Sequence, residues 1–227
     1  MVVDVVIPAL NEEQSIGRVL QALVDPRIRT RVVADNGSTD RTAEVARDAG
    51  ARVVGAPRRG YGSACLAGIA ELARTPPDVV LFVDGDFSDF AEEAGLLLDR
   101  IEAGADLVIG SRMLGGAERG SLMPVARFGN WLSTRLIRRL YGVTFTDLGP
   151  FRAIRWDALQ RIGMVDQDFG WTVEMQVRAA RRGLRCDEVG VRYRPRIGVS
   201  KVSGTVRGSV RAGAKILWVI ARDRLGG

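Results

Sequence analysis

Histidine is absent from this 227-residue chain, and its absence excludes several kinds of active site. Without imidazole there is no Ser-His or Cys-His nucleophile pair, no histidine general base and no histidine metal ligand. Cysteine is nearly absent as well. Cys65 and Cys186 lie far apart without CxxC spacing, which is typical of free thiols in a reducing compartment. Catalysis would therefore depend on carboxylates, arginine, backbone amides and a hard metal ion.

Long apolar runs are also missing. The longest uninterrupted run near the C-terminus spans only 216–221, whereas a membrane-spanning helix needs about 20 residues. The first residues, MVVDVVIPAL, contain Asp4 and no basic leader, so we interpret them as a strand rather than a signal peptide. We expect a cytoplasmic protein that at most lies on the inner face of the cell membrane.

Positive charge is scarce in the first half of the chain and abundant in the second. Residues 1–111 contain 11 Lys or Arg against 18 Asp or Glu, whereas residues 112–227 contain 22 against 9. An acidic half joined to a basic half indicates a cation site beside an anion site, although solvated arginines on helix faces would give the same counts. No linker or internal repeat separates the halves, so we expect one domain over 1–227.

Short runs rich in Val and Ile alternate with helical patterns in the first half. This alternation predicts an α/β fold with a mostly parallel central sheet flanked by helices. The predicted strands are Val2–Ile7, Arg31–Ala34, Arg52–Val54, Val79–Val83 and Leu107–Ile109, and the predicted helices are Glu13–Val24, Thr39–Ala49, Ser63–Arg74 and Ala91–Ala103. In the less regular second half we predict a loop at Gly110–Met123, helices at Val125–Leu140, Trp171–Arg182 and Val206–Arg222, and strands at Phe151–Ile154 and Arg185–Tyr193.

Acidic residues follow three of the predicted strands, where ligands bind in parallel α/β sheets. Glu12, Asp35, Asp84 and Asp86 should therefore converge on one edge of the sheet. Two carboxylates one residue apart after a buried strand suit Mg²⁺ or Mn²⁺ holding a diphosphate. Alone, Asp84-Gly85-Asp86 would more simply be a turn in which Asp86 caps the next helix; the neighbouring acidic strand ends favour the metal site.

A Gly-x-Gly motif, Gly60-Tyr61-Gly62, opens the third predicted helix and suggests a competing dinucleotide site. The motif follows the third strand rather than the first, and Cys65 stands where a third small residue is expected. A glycine-dependent turn packed near the nucleotide is the better interpretation. No GxxxxGK[ST] segment is present, which excludes a P-loop.

Together these segments resemble the family 2 glycosyltransferases of GT-A fold, over about residues 1–205. The segments that carry the resemblance are Val6–Glu13, Asp35–Asp40, Asp84–Asp86, Gly110-Ser111-Arg112, Thr146-Asp147, Phe151-Arg152 and Gly198–Lys201. The last four resemble the branch that glycosylates polyprenyl phosphates. Ser88-Asp89 departs from that branch, which often has Gln here, and no QxxRW motif of processive synthases is present.

The resemblance implies a nucleotide- and metal-binding half at 1–111, an acceptor-side half at 112–227, and a role for each matching residue. Pro8, Asn11 and Glu12 would line the nucleotide, and Asp35 would contact its base or ribose. Asp84 would approach the ribose and the metal, and Asp86 would ligate the metal. Arg112 and Lys201 would neutralise phosphate oxygens, and Asp147 would lie on the acceptor side of the sugar. The implied cofactor is Mg²⁺ or Mn²⁺.

The chemistry of the acceptor decides which catalytic groups are needed. A phosphate acceptor is already anionic, so it can attack the anomeric carbon without a strong general base. A hydroxyl acceptor would need one, and Asp147 or Glu174 would be the candidates. Packing of Glu174 beside Arg178 is an equally simple interpretation of that residue. A single attack without a covalent sugar on the enzyme predicts inversion.

We therefore expect an inverting, metal-dependent transferase that moves a hexose from a nucleotide sugar to a polyprenyl phosphate. UDP-glucose is the first donor candidate and GDP-mannose the second. A transferase acting on a small soluble hydroxyl acceptor and a Rossmann-like nucleotide-binding protein are the alternatives. Nucleic acid is not an expected partner, because no nucleic-acid motif accompanies the arginines.

Two basic amphipathic segments, Val125–Leu140 and Val206–Arg222, suggest a peripheral contact with the membrane. In this interpretation Phe128, Trp131 and Trp218 would insert among lipid headgroups. The alternative is that their apolar stripes pack against the sheet.

Overall fold

The computed structural model describes residues 1–118 and 120–198, together with Trp218. Lys201 and, apart from Trp218, the predicted helix Val206–Arg222 lie outside the described residues.

A seven-stranded sheet forms the centre of the molecule, in the order β3-β2-β1-β4-β6-β5-β7. The strands are β1 (Val3–Ala9), β2 (Ile28–Asp35), β3 (Arg52–Gly55), β4 (Val79–Phe82), β5 (Leu107–Ser111), β6 (Arg152–Arg155) and β7 (Cys186–Gly190). β6 runs antiparallel to both of its neighbours, β4 and β5, whereas the other neighbouring pairs are parallel. The predicted α/β fold with a mostly parallel sheet is therefore confirmed.

Helices cover both faces of this sheet. They are α1 (Ile16–Ala22), α2 (Thr42–Asp48), α3 (Tyr61–Leu72), α4 (Ala94–Glu102), α5 (Arg112–Gly115), α6 (Pro124–Tyr141), α7 (Trp156–Ile162) and α8 (Trp171–Arg181). A short 3-10 turn, Ala91–Glu93, precedes α4.

The central strand β1 is buried along its whole length because its alternate side chains enter two different apolar clusters. Val5 and Ile7 pack in a cluster with Ile16 of α1 and residues of α4. Val6 packs on the opposite face, in the cluster that contains Trp171 of α8. A continuous run of Val and Ile is thus the expected pattern for a strand with helices on both sides.

Two parts of the second half differ from the sequence-based expectation. The predicted loop Gly110–Met123 begins inside β5 and contains the single turn α5. Helix α7 was not predicted; it directly follows β6 and buries Ala158, Leu159 and Ile162. Seven residues are too few for a helical period to stand out in a sequence.

The reversed direction of β6 is what completes the candidate site. The carboxyl ends of β1, β2 and β4 meet at one edge of the sheet. Because β6 is antiparallel to β4, its amino end reaches the same edge. The segment Asp147–Phe151 therefore enters the sheet beside the acidic strand ends.

Candidate active site

A cavity of about 360 Å³ opens at the carboxyl ends of β1 and β4. Its walls come from the segments that follow β1, β2, β4 and β7, from the start of α3 and from the segment before α8. The lining residues are Pro8, Ala9, Leu10, Glu12, Asn36, Arg59, Gly60, Tyr61, Asp84, Gly85, Asp86, Asp168, Phe169 and Arg196. Pro8, Glu12, Asp84 and Asp86 thus lie together as the sequence predicts, whereas Asn11 and Asp35 are not among the lining residues.

The two aspartates of the Asp-Gly-Asp segment have different surroundings. Asp84 accepts a hydrogen bond from the Tyr61 hydroxyl at 2.9 Å. Asp86 is 5% exposed, and its Oδ1 accepts hydrogen bonds from the amide and hydroxyl of Ser88 at 2.9 and 2.5 Å. Phe87, which lies between Asp86 and Ser88 in the chain, has a φ of 62°, in the left-handed region that a bulky residue rarely adopts. This tight turn brings Ser88 back onto Asp86.

A third carboxylate, Asp89, lies behind this pair. It is 2% exposed, and within residues 1–118 and 120–198 neither of its oxygens has a hydrogen-bond partner. Burial and the charges of Asp84 and Asp86 hold the pKa of Asp89 well above its usual value. Burial and the charge of Asp86 raise the pKa of Asp84 to about 7. Asp84 and Asp89 are therefore harder to ionise than ordinary aspartates, because burial and the neighbouring carboxylates disfavour the charged form of each.

Hard oxygen ligands of this kind fit Mg²⁺ or Mn²⁺, but they do not form a complete cage. In the part of the chain that the structure describes, no group of three or more Asp, Glu or Cys side chains is arranged to hold a metal ion. Asp84 and Asp86 would therefore supply part of the coordination. A diphosphate and water would supply the rest, which is how Mg²⁺ commonly binds.

The loops after β1 and β2 hold each other in place at the rim of the cavity. Asn11, with φ of 53°, accepts a hydrogen bond from the amide of Thr39 at 2.8 Å, and its own amide donates to Ser38 Oγ at 3.0 Å. Asp35 Oδ1 accepts from the Ser38 amide at 3.1 Å. The structure therefore places Asn11 and Asp35 where they shape the rim.

The Gly60-Tyr61-Gly62 motif holds the segment 166–168 against the cavity. A Cβ atom on Gly60 would lie 2.1 Å from the carbonyl oxygen of Gln167. A Cβ atom on Gly62 would lie 2.0 Å from the carbonyl oxygen of Asp166, so both positions require glycine. The amides of Gly62 and Ser63, at the start of α3, donate to carbonyl oxygens of this segment at 3.2 and 2.9 Å. These amides thus bind backbone rather than a pyrophosphate, so the motif serves as the tight turn that the sequence favours.

Arg112 and Asp147 form a two-point ion pair at the amino end of α5. Arg112 Nε donates to Asp147 Oδ2 and Nη2 donates to Oδ1, each at 2.7 Å, and the Arg112 amide also donates to Oδ2 at 2.9 Å. Burial lowers the pKa of Arg112, but Asp147 outweighs it and the net pKa is raised. The guanidinium lies 5.0 Å above the Tyr193 ring. Asp147 itself is fully buried, so it orients Arg112 and is shielded from solvent.

Four polar side chains fix the backbone of segment 146–149: Gln176 and Arg152, which are buried, and Asn130 and Glu188, which are half-buried. Glu188 accepts hydrogen bonds from the backbone amides of Thr146 at 2.8 Å and Asp147 at 3.3 Å. Asn130 accepts from the Leu148 amide at 2.8 Å, and Gln176 donates to the Asp147 carbonyl at 2.9 Å. Arg152, whose pKa burial lowers to about 10, donates to the carbonyl oxygens of Leu148 and Gly149. The Asp147 side chain is therefore presented from a rigid support.

Glu174, the other carboxylate considered as a base, is not brought to the cavity. It is fully buried in α8, where it accepts from the amides of Val165 and Asp166 at 3.1 and 2.8 Å. Its Oε1 lies 3.1 Å from Arg178 Nη2. The packing beside Arg178 that the sequence left open is the arrangement found, and it fixes the segment before α8.

A second cavity, of about 270 Å³, lies beside Arg112. Arg112, Met113, Leu122 and Arg127 are among its lining residues. Close to it are five exposed apolar side chains: Met113 (43% exposed), Leu114 (57%), Met123 (50%), Phe128 (60%) and Trp131 (52%). Further along α6 the pattern reverses, because Ile137 is buried in the core. Half of α6 thus packs against the protein and half exposes its apolar side chains.

Several residues of the site were not predicted from the sequence. Tyr61, Asp168, Phe169 and Arg196 line the first cavity. Arg196 was assigned only to a polar loop; its position five residues before Lys201 was the available signal. Asp168 and Phe169 reach the cavity through contacts with the Gly-x-Gly turn, which a sequence does not reveal.

Comparisons with known proteins agree with this geometry. The model of the family "Glycosyl transferase family 2" matches residues 4–163. An uncharacterised glycosyltransferase of Mycobacterium tuberculosis is 43% identical over 212 residues, which cover 92% of this chain and 94% of that protein. A dolichyl-phosphate hexose transferase of Haloferax volcanii is 38% identical over 225 residues, covering 97% of this chain and 95% of that protein.

Among solved structures, glucosyl-3-phosphoglycerate synthase of M. tuberculosis in complex with phosphoglyceric acid is similar, with a TM-score of 0.77 at 25% identity. The match covers 97% of this chain and 80% of that one. The same enzyme with Mn²⁺, UDP and glucosyl-3-phosphoglycerate gives a TM-score of 0.76 at 24% identity, covering 99% of this chain and 80% of that one.

The sheet and its acidic edge define a GT-A fold, as the resemblance implied. The chain belongs to glycosyl transferase family 2, and it is a glycosyltransferase. This membership sets aside the alternative of a Rossmann-like nucleotide-binding protein. Among the residues that the structure describes, no helix is both long enough and apolar enough to cross a membrane.

Proposed function

We propose that this protein transfers a hexose from a nucleotide sugar to a polyprenyl phosphate, with inversion at the anomeric carbon. The observation that carries the proposal is the Arg112–Asp147 ion pair, whose guanidinium lines the second cavity and lies close enough to the acidic cavity for its charge to offset part of the rise that burial causes in the pKa of Asp84. A fixed guanidinium beside concentrated carboxylates is suited to an acceptor that arrives as an anion. The likeness to a dolichyl-phosphate hexose transferase supports the same acceptor class.

In this proposal the nucleotide sugar occupies the acidic cavity. Pro8 and Glu12 line the nucleotide, while Asn11 and Asp35 shape the rim around it. UDP-glucose is the proposed donor, with GDP-mannose as the second candidate. Asp84 and Asp86 would hold Mg²⁺ or Mn²⁺, which when bound supplies positive charge to the diphosphate leaving group.

The acceptor phosphate reaches the sugar from the Arg112 side. An oxygen of the acceptor phosphate forms a bond to the anomeric carbon, and the bond from that carbon to the diphosphate oxygen breaks. The nucleoside diphosphate leaves with the electron pair, and no proton has to be removed from the acceptor. Arg112 neutralises phosphate charge as the two anions approach, and Asp147 keeps Arg112 in position. Lys201, outside the described residues, is proposed for the same electrostatic role.

The availability of bases separates this proposal from transfer to a hydroxyl group. Asp147 is occupied by Arg112, and Glu174 is buried next to Arg178. A hydroxyl acceptor would need one of them to take a proton. Transfer to a small soluble acceptor remains the second candidate, because the similar glucosyl-3-phosphoglycerate synthase binds phosphoglyceric acid.

A lipid acceptor also requires a peripheral contact with a membrane, and α6 is proposed to supply it. Phe128 and Trp131 are exposed, with ring centroids 5.7 Å apart, and Arg135 lies 5.6 Å from the Trp131 ring. Exposed aromatic rings next to arginines are typical of a helix at an anionic lipid surface. This contact would place the protein at the inner face of the cell membrane.

The proposal is tested with a panel of donors and two acceptors. UDP-glucose and GDP-mannose are each incubated with polyprenyl phosphate in detergent or with phosphoglyceric acid, in the presence of Mn²⁺ or Mg²⁺, and products are identified by mass. We expect a hexosyl polyprenyl phosphate that a chelator abolishes. Glycosylation of phosphoglyceric acid with none of the lipid phosphate would contradict the proposed acceptor.

A further inference from the structure

An arginine bridges two carboxylates of the proposed donor site. Arg196 Nη2 lies 3.1 Å from Glu12 Oε1, and Nη1 lies 3.2 Å from Asp86 Oδ2. The side chain of Arg196 is 29% exposed and those of the two acids are 7% exposed, so the guanidinium forms part of the cavity wall. Its Nε is buried without a hydrogen-bond partner among the described residues. The guanidinium of Arg196 is therefore held at Nη1 by Asp86 and at Nη2 by Glu12.

We propose that Arg196 is an internal counter-cation, which neutralises Asp86 before the donor binds and leaves Asp86 when the divalent ion arrives. This inference rests on the metal site of the proposed function, but it does not depend on the acceptor. It assigns Arg196 a positioning role toward the metal and the donor diphosphate.

The two oxygens of Asp86 explain why the ion and Arg196 compete. Oδ1 is already bound by the amide and hydroxyl of Ser88. Oδ2 is the oxygen that Arg196 contacts. A divalent ion ligated by Oδ2 would lie next to the guanidinium, and two cations at that distance repel each other. The guanidinium must therefore move away from Oδ2 for the ion to bind there.

The backbone next to Arg196 allows a side-chain movement of this kind. The amide of Ile197 donates to the carbonyl oxygen of Asp86 at 3.0 Å, which holds the segment beside the metal loop. Arg196 can thus leave the carboxylate of Asp86 while its backbone stays in place and its other tip remains on Glu12. The released Nη1 then faces the cavity, where the donor diphosphate brings new negative charge. Metal and nucleoside diphosphate should therefore each strengthen the binding of the other.

The experiment measures binding of Mn²⁺ alone, without nucleotide, from the electron paramagnetic resonance signal of free Mn²⁺. The proteins are the full chain and its Arg196→Gln, Arg196→Lys and Arg192→Gln variants. Arg192→Gln is the matched control, because it removes the same charge from a neighbouring residue whose partners are Glu92 and Glu93. Thermal unfolding checks that each variant folds.

We expect Arg196→Gln to bind Mn²⁺ about threefold more tightly than the unchanged protein, the scale of one partly exposed ion pair. The Arg192→Gln variant should bind Mn²⁺ like the unchanged protein, whereas Arg196→Lys, which keeps the charge but not the two-point contact, should bind Mn²⁺ with an affinity between those of Arg196→Gln and the unchanged protein. With UDP added, the gain in Mn²⁺ affinity should be smaller for Arg196→Gln than for the unchanged protein. Should Arg196→Gln fail to fold, weaker Mn²⁺ binding by the unchanged protein without UDP than with it supports the proposal.

Unchanged or weaker Mn²⁺ binding by a folded Arg196→Gln variant would overturn the inference, as would no Mn²⁺ binding by any of the proteins. Equal Mn²⁺ affinity with and without UDP would also overturn it. Tighter binding by this variant together with no transfer to polyprenyl phosphate would leave the inference standing and contradict only the proposed acceptor.

Discussion

Carboxylates occur on both sides of the active-site edge, but the protein treats the two groups in opposite ways. Around the acidic cavity, Asp84 and Asp86 lie within the same turn and Asp86 is paired with Arg196, but Asp89 behind them has no hydrogen-bond partner among the described residues. Around Arg112, Asp147 and Glu188 accept hydrogen bonds from a guanidinium and from backbone amides. The first group is charge that a ligand can neutralise, whereas the second holds the structure together.

The comparison explains why mutations of carboxylates at different positions should affect stability differently. A buried carboxylate whose oxygens are fully bonded loses a structural partner when it is mutated. Mutation of a carboxylate that lacks such bonds removes few structural contacts and relieves repulsion from the neighbouring carboxylates. Substitutions on the two sides should therefore separate activity from stability.

The largest expected effect on activity is at Asp86. Replacement Asp86→Asn should lower the transfer rate by about 100-fold or more, because charge stabilisation of the leaving group has effects of that size. Thermal stability should change little, because the lost ion pair with Arg196 offsets the relief of repulsion from Asp84. Product formation and thermal unfolding are measured side by side, with the exposed Asp157→Asn as the charge-matched control. A variant with nearly full activity would contradict the assignment of Asp86 to the metal.

Asp147 should show a loss of both activity and stability. Asp147→Asn would leave Arg112 buried without its charge partner, and breaking such a pair costs about 3 kcal/mol of unfolding free energy. The transfer rate of the folded protein should fall about 10-fold, because Arg112 is no longer held. Urea unfolding and the pH profile of transfer are measured.

The pH profile separates orientation from proton transfer at Asp147. An orienting role leaves the shape of the profile unchanged and lowers it throughout. Disappearance of an acidic limb in Asp147→Asn would instead indicate that the carboxylate acts as a base. The rate with Arg112→Lys should also fall, since an ammonium cannot reproduce the two-point contact.

Glu174 should affect stability alone. Glu174→Gln removes the charge that faces Arg178 and weakens the support of the segment before α8, which should cost about 2 kcal/mol of unfolding free energy. The transfer rate per folded molecule should stay within about twofold of the original, because Glu174 does not line the cavity. A large loss of rate at unchanged stability would restore the role as a base that the sequence left open.

The sequence predicted the acidic edge well because that edge follows from strand order and chain direction. Carboxyl ends of parallel strands meet at one edge, so residues such as Glu12 and Asp84 could be grouped without coordinates. The Gly-x-Gly turn was likewise interpreted correctly, since its place after the third strand already disfavoured a dinucleotide site.

Contacts between distant segments were beyond the sequence. Arg196 lies 110 residues after Asp86 in the chain, and its bridge to Asp86 and Glu12 depends on how a loop folds back. The partnership of Asp147 with Arg112 required the reversed strand β6, which periodicity does not reveal. Burial also makes Glu174 unavailable as a base; its i,i+4 spacing to Arg178 allowed that outcome, but the sequence could not decide between the two roles.

The pH dependence of stability tests the crowded carboxylates of the acidic cavity directly. Burial and Asp86 raise the pKa of Asp84 from 3.8 to about 7 in the folded protein. Protonation of Asp84 thus favours folding: its contribution is fully present below about pH 4 and is lost as the pH rises to about 7. The Asp84→Asn variant has no proton to lose in this range. The difference between its melting temperature and that of the unchanged protein, measured without metal or nucleotide, should therefore increase in favour of the variant from pH 5 to pH 8. A constant difference over that range would mean that Asp84 does not titrate between pH 5 and pH 8, which would contradict its raised pKa of about 7.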